Sequence, residues 1–288
     1  MRTNDPMYGL TAAIATQHGK ADYIAKPLAA ALGWQVVNYT GFNTDTLGTF
    51  SGEVARTQSP YECAKHKALM SLQHHDAELG IGSEGSFQSD GFGLFALNTE
   101  ILVCVNRDGK VIASASAQQP IMLEKLTLAL PLDVNWKSQV STFIEEVPPG
   151  QAGMIIARDS KKSALAAHKG LLNAAAIELA VQQLGTTAKA SLIELQYDFR
   201  AMHCPQRQVT LELAAQALVK YLTSHCPQCA ARGFVVKQRV AGLPCRQCGT
   251  PSRQPKAHVM TCQDCGFSQT QAVEAPDTDP VNCNYCNP

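Results

Sequence analysis

Cys226-Pro227-Gln228-Cys229, Cys245-Arg246-Gln247-Cys248, Cys262-Gln263-Asp264-Cys265 and Cys283-Asn284-Tyr285-Cys286 carry eight of the eleven cysteines. Cys63, Cys104 and Cys204 are scattered singly through the preceding chain. In a reducing compartment, paired cysteines at this spacing read as metal ligands rather than as a disulfide framework. Two thiolates separated by two residues can face one ion, and two such knuckles complete the tetrahedron that zinc prefers. The expectation is a C-terminal double zinc ribbon with two structural zinc ions. Their ligands are Cys226, Cys229, Cys245, Cys248, Cys262, Cys265, Cys283 and Cys286. Fifteen residues separate the first two pairs and seventeen the last two. Both gaps suit a short hairpin, which favours sequential pairing. Thirteen residues separate the middle pairs, so a nested pairing, inner with inner and outer with outer, is the rival. His225 and His258 lie close by but are not needed when eight thiolates are supplied.

The chain around this segment has 288 residues, 45% of them hydrophobic, long enough for one large core or two smaller ones. Lys plus Arg and Asp plus Glu both number 24, so net charge gives no reason to expect nucleic acid or a membrane surface as partner. No run approaches the roughly 20 apolar residues that cross a bilayer, and the first twenty residues lack a signal pattern. The expectation is a cytoplasmic protein that uses no membrane, with homo-oligomers left open. Around the cysteines, Arg232, Lys237, Arg239, Arg246, Arg253 and Lys256 outnumber the nearby acids. RNA is therefore a candidate partner of the zinc module, beside a packing or oligomerising role.

Upstream, the pattern is α/β, with a mixed or mostly parallel sheet flanked by helices. The apolar run Tyr8–Ala15 ends in Thr16-Gln17-His18-Gly19-Lys20 and leads into a helix through Leu32, then a strand at Trp34–Tyr39. A helix over Pro60–Gln73 precedes a brief strand, Leu79–Gly82, entering a glycine-rich turn. Phe92–Val105 and Lys110–Ser116 flank Asn106-Arg107-Asp108-Gly109, a hairpin signal. A strand at Gly153–Ala157, a helix over Ala166–Leu184, a strand at Ser191–Tyr197 and a helix over Val209–Ser224 follow. Pro148-Pro149-Gly150 marks the internal boundary. The expected division is 1–148, 149–224 (packed on the first) and 225–288.

Four polar clusters interrupt these elements. Thr16 to Lys20 joins a hydroxyl, a helix N-terminus and an ammonium, a set able to hold phosphate, although an ordinary strand–helix turn explains it equally well. Ser59 with Glu62 forms a capping box with Pro60 at the first helical position, and Lys67 follows. Glu84 stands among Gly80, Gly82 and Gly85, where glycines permit close backbone approach to a ligand. Asp198, Arg200, His203 and Arg207 gather at a strand end before a helix, a ligand edge in α/β folds or a set of structural salt bridges.

The order of these motifs resembles the inosine/xanthosine triphosphatases of the ITPase- and Maf-like fold, house-cleaning nucleotide pyrophosphatases. The resemblance covers roughly 10–118 and is carried by Thr16 and Lys20, Ser59-Pro60-Tyr61-Glu62, Lys67-Ala68 and Gly80-Ile81-Gly82-Ser83-Glu84-Gly85. Gln17 and Ser86 depart from that family's pattern. The resemblance implies Mg²⁺-dependent hydrolysis of non-standard nucleoside triphosphates. Glu62 and Glu84 would hold the metal, and Glu84, Lys20 and Lys67 would be catalytic. Thr16, Arg200 and Arg207 would meet phosphate, and Asp45, Glu53 and Arg56 could supply a further ligand. On a straight helix, Glu62 and Lys67 point about 140° apart. The alternative is a non-catalytic nucleotide-, RNA- or protein-binding module. The whole chain also resembles an uncharacterised bacterial domain family with a Cys-rich tail ending in Cys283 to Pro288.

Overall fold

The computed structural model describes residues 5–16, 18–41, 58–74, 76–89, 91 and 95–288. Gln17, Asp45, Glu53 and Arg56 lie outside the described residues. The chain divides into two compact units, Met1–Gln216 and Ala217–Pro288.

The first unit opens with β1 (Thr11–Ala15), α1 (Lys20–Leu32), β2 (Gln35–Tyr39) and α2 (Pro60–Gln73), followed by β3 (Leu79–Ser89), β4 (Phe95–Asn106) and β5 (Val111–Met122). Its sheet has the order β2-β1-β3-β4-β5. β1 runs parallel to β2 and β3, whereas β3–β4 and β4–β5 are antiparallel, so the sheet is mixed, as the sequence predicts. Local chemistry sets the helix ends. Gly33 closes α1 in the left-handed conformation (φ 66°) and donates its N–H to Ala29 O. Ser59 Oγ accepts from the Glu62 N–H at 3.2 Å, with Pro60 at the first turn of α2. Asn106-Arg107-Asp108-Gly109 forms the expected turn, with Gly109 at φ 75°.

The glycine-rich stretch after Leu79 is not a turn. β3 continues through Gly85 to Ser89, paired with β4 from Leu79↔Asn106 to Ser89↔Ala96. The glycines serve packing instead. A Cβ on Gly80 would lie 2.2 Å from Ala68 O, and one on Gly82 only 1.7 Å from Ala64 O. At the period of two that defines a strand face, these residues let α2 sit directly on the backbone of β3.

The second part of this unit comprises β6 (Lys125–Ala129), α3 (Trp136–Glu145), β7 (Gly153–Arg158), β8 (Ala164–Leu171), α4 (Ala174–Gly185), β9 (Leu192–Tyr197) and the first residues of α5 (Pro205–Thr223), whose residues from Ala217 belong to the second unit. The sheet order is β6-β9-β7-β8, and every pairing is antiparallel. The helix expected over Ala166–Leu184 is therefore two elements. Its first residues form β8 against β7, and α4 starts only after Asn173, whose side chain accepts from the Ala176 N–H at 2.9 Å. This sheet also begins at Lys125, upstream of Pro148-Pro149-Gly150. The two sheets share one core: Ala96 and Ile121 pack with Ile155, Ile193 and Leu195, and with Ile177, Val181 and Leu184 of α4.

The second unit contains β10 (Val236–Ala241), β11 (Pro255–Thr261) and β12 (Ser268–Ala272) in an antiparallel meander of that order. Its apolar core is small: Phe234, Cys226 and Cys262 are buried against Met260 and Phe267. Among the described residues, no helix is long and apolar enough to cross a membrane.

Candidate functional site

Each strand of the meander joins one cysteine pair to the next, so consecutive pairs fall at opposite ends of the sheet. Cys226 and Cys229 meet Cys262 and Cys265, and Cys245 and Cys248 meet Cys283 and Cys286. The pairing is interleaved, neither sequential nor nested. Each gap carries one strand crossing the module instead of a hairpin returning to its start. The sulfurs fit a metal. Sγ···Sγ distances are 3.7 Å for Cys226–Cys265, 3.6 Å for Cys229–Cys262, 3.9 Å for Cys245–Cys286 and 3.6 Å for Cys248–Cys283. Four thiolates about 2.3 Å from a tetrahedral zinc would stand about 3.8 Å apart, whereas a disulfide requires about 2 Å.

The four knuckles share one backbone device. The residue after each second cysteine returns its N–H to the first cysteine's carbonyl: Ala230 to Cys226, Gly249 to Cys245, Gly266 to Cys262 and Asn287 to Cys283. Ala230, Gly249 and Gly266 hold positive φ to do so. Thr250 Oγ1 lies 2.8 Å from Cys248 Sγ and 3.2 Å from Cys283 Sγ, and its hydroxyl helps hold the Cys283 thiol down at about 6. Such hydrogen bonds orient ligands from outside the coordination shell. The two groups could each hold one metal ion.

In the first unit, charged side chains converge beyond the C-terminal end of β1, where β3 and β4 extend past it. Lys67 Nζ of α2 meets Glu84 Oε2 of β3 at 2.5 Å, both largely buried. Arg207 Nε of α5 meets Glu100 Oε1 of β4 at 2.6 Å, and Lys20 Nζ at the start of α1 reaches Glu100 Oε2 at 3.5 Å. Asn98 donates to Glu100 Oε1 at 3.2 Å, and Arg207 also donates to Phe199 O at 2.7 Å. Its guanidinium lies over the Phe87 ring, 5.3 Å from the centroid. Gly85 leaves the room for this: a Cβ there would lie 2.3 Å from both Arg207 Nη2 and Glu100 Oε1. Burial would raise the Glu100 carboxyl, but Arg207 and Lys20 outweigh it and hold it at about 2. Burial pushes Lys20 down to about 8, against the pull of Glu100. Thr16 is buried at the same strand end.

With both sites described, comparison with known proteins adds one finding. Residues 67–288 match the model of the family described as "Domain of unknown function (DUF6671)". The chain belongs to that family. Comparison with curated proteins finds no match. The DUF6671 match takes in Lys67, Glu84, Glu100, Arg200, Arg207 and all eight paired cysteines, and leaves Thr16, Lys20 and Glu62 upstream of it.

Within this DUF6671 chain, the residues singled out from sequence fall into three places. Lys20, Lys67, Glu84 and Arg207 join one buried cluster, with Thr16 at its edge. Glu62 stays exposed at the start of α2 while Lys67 is buried, as their angular separation requires. Arg200 closes on Asp198 instead, with Nη2–Oδ2 at 2.7 Å and Nε to both oxygens at 3.1 Å. Gly170 N–H also donates to Asp198 Oδ2 at 2.9 Å. Burial would raise the Asp198 carboxyl, but the side-chain and backbone hydrogen bonds from Arg200 and its charge lower it. The residue that sequence reasoning missed is Glu100. Its signal was a lone carboxylate at an inward position of an apolar strand, in line with Ala96, Asn98, Leu102 and Cys104.

Proposed function

We propose that this protein is a Mg²⁺-dependent pyrophosphohydrolase acting on non-standard nucleoside triphosphates, with two structural zinc ions in its C-terminal module. The observation that carries the reading is the convergence of Lys20, Lys67 and Arg207 with Glu84 and Glu100 beyond β1. A buried group of this charge balance, beside a parallel strand end and a helix N-terminus, suits a phosphate chain. The motif resemblance to inosine/xanthosine triphosphatases supports the same assignment. Glu84 would hold Mg²⁺, which would neutralise phosphate oxygens when bound; Glu62, exposed on the other side of α2 from Lys67, does not join it. Lys67 then exchanges Glu84 for a substrate oxygen, and Lys20 stabilises the charge that develops on the phosphates. Water oxygen bonds to the α-phosphorus, the bond from that phosphorus to the α–β bridging oxygen breaks with its electron pair leaving on pyrophosphate, and the water protons pass to the released phosphates and solvent.

The second reading is a non-catalytic nucleotide-binding module. It is favoured by the pairing of Arg200 with Asp198 and of Arg207 with Glu100, which leaves both guanidinium groups already engaged. The experiment is pyrophosphate release from standard and damaged nucleoside triphosphates with Mg²⁺, beside Glu84→Gln. Metal-dependent release that disappears in the variant supports the enzyme. Nucleotide binding without turnover, by folded and zinc-loaded protein, transfers the assignment to the second reading.

A further inference from the structure

The zinc unit has a surface feature separate from both the cysteine groups and the charge cluster. A groove of about 500 Å³ runs along β12, the edge strand of the meander. Phe234 and Met260 contribute its apolar part, and Ser224 and His225 line it together with Gln269 and Gln271 of β12. The groove continues onto one face of the sheet. Arg239, His258 and Gln271 are cross-strand partners on β10, β11 and β12, so their side chains form one row across all three strands. Met260 and Gln269 form the next row on that face.

The charge is one-sided. Every ionisable side chain on the three strands is basic: Lys237 and Arg239 on β10, and Lys256 and His258 on β11. The acids of this unit, Asp264, Glu274, Asp277 and Asp279, all lie outside the strands. Asp277 is already held by Arg246 at 2.8 Å.

We propose that this face and groove bind single-stranded nucleic acid. The basic strands attract the phosphate backbone, Met260 accepts a base face over the groove floor formed by Phe234, and the amide, hydroxyl and imidazole groups meet base edges. An extended peptide adding to β12 is the competing occupant, since an edge strand invites it. That mode draws specificity from pockets for alternate side chains, whereas β12 presents only Ser268, Gln269, Thr270, Gln271 and Ala272, all exposed. A duplex is disfavoured because its base faces are stacked and cannot enter a groove of this size.

The test is fluorescence anisotropy of the full-length, zinc-loaded protein with a labelled short oligouridylate at about 50 mM salt. Oligothymidylate, a duplex of equal length and a polyglutamate peptide are the comparison arms. The expected result is saturable binding of single strands, about tenfold weaker after Gln269→Ala with Gln271→Ala. Arg239→Ala should weaken binding and reduce the salt slope by about 0.7. Glu84→Gln should bind as the parent does, which separates this surface from the proposed nucleotide site. All three surface positions are exposed, so the variants should keep their zinc, checked by metal analysis. Preference for uridylate or thymidylate assigns RNA or DNA, and either supports the proposal. Three results overturn it: no binding up to about 100 µM, binding unchanged by both surface variants, or equal binding of polyglutamate or duplex.

Discussion

Replacing Gly82 with alanine tests whether the glycine-rich strand serves packing or a ligand. A Cβ built at Gly82 lies 1.7 Å from Ala64 O and 2.7 Å from both Ala64 C and Ala68 N. Ordinary carbon–oxygen contacts lie near 3.3 Å, so α2 must retreat by about 1.6 Å at that point. The obstacle is helix backbone, which cannot rotate aside as a side chain would. Overpacking by one methyl group typically costs 1–3 kcal/mol, and a clash with backbone belongs at or above the top of that range. Restricting the unfolded chain returns about 0.4–1 kcal/mol. The net loss should be about 2–3 kcal/mol, a fall in Tm of about 5–10 °C for a unit of this size. Thermal unfolding followed by circular dichroism measures it, with Gly80→Ala (2.2 Å from Ala68 O) as a companion. Lys67 lies on the displaced turn, so its pair with Glu84 should loosen as well. A Gly82→Ala protein that melts within about 1 °C of its parent would refute the packing argument, and unchanged Tm with lost nucleotide binding would restore the ligand-cradle reading.

Glu100→Gln strands Arg207 and Lys20 without their shared counter-charge and should cost about 3–5 kcal/mol in denaturant unfolding; a loss below about 1 kcal/mol would mean the cluster is far better hydrated than its burial implies. The same carboxyl sets the acid limb of stability. It sits at about 2 folded against 4.5 ordinarily, so the unfolded chain binds more protons in that window. Its contribution, about 3 kcal/mol, is whole above pH 4.5 and disappears toward pH 2, and Glu100→Gln should flatten that slope. Lys20, at about 8 folded against 10.5 ordinarily, costs stability below pH 8, and that cost is relieved as pH rises from 8 to 10.5, a slope of the same sign because the unfolded chain again binds more protons. For the cysteines, metal analysis should find one zinc left in Cys226→Ser with Cys262→Ser, and none in Cys226→Ser with Cys245→Ser; the reverse pattern would restore sequential pairing.

How much was legible from residues depended on whether the deciding interaction was local. α2 was legible to the residue because Ser59, Pro60 and Glu62 specify its start within one turn. The eight metal-binding candidates were legible because two thiols three positions apart already form half a site. Their pairing was not, since loop length does not distinguish a hairpin from a single crossing strand. Ala164–Leu171 misleads for a similar reason. Alanine favours helix, yet pairing with β7 decides that it is a strand. Glu100 was hidden by distance, because its partner Arg207 is 107 positions away. Of the glycines around Glu84, Gly80 and Gly82 admit the backbone of α2 and Gly85 admits Arg207 and Glu100, contacts that come from distant parts of the chain.

Interleaved cysteine pairing gives the C-terminal module the logic of two links in a chain. The loop closed by the first group runs from Cys226 to Cys265, and the second from Cys245 to Cys286, so the segment between Cys245 and Cys265 belongs to both. No cut in that shared segment leaves either loop whole, and neither half can be lent to another protein by itself. Synthesis from the N-terminus must also reach Cys265 before the first group has all its ligands. By then the knuckle at Cys245 is already waiting for a partner that arrives last. The two loops therefore share one stretch of chain, although each group keeps or loses its metal by itself.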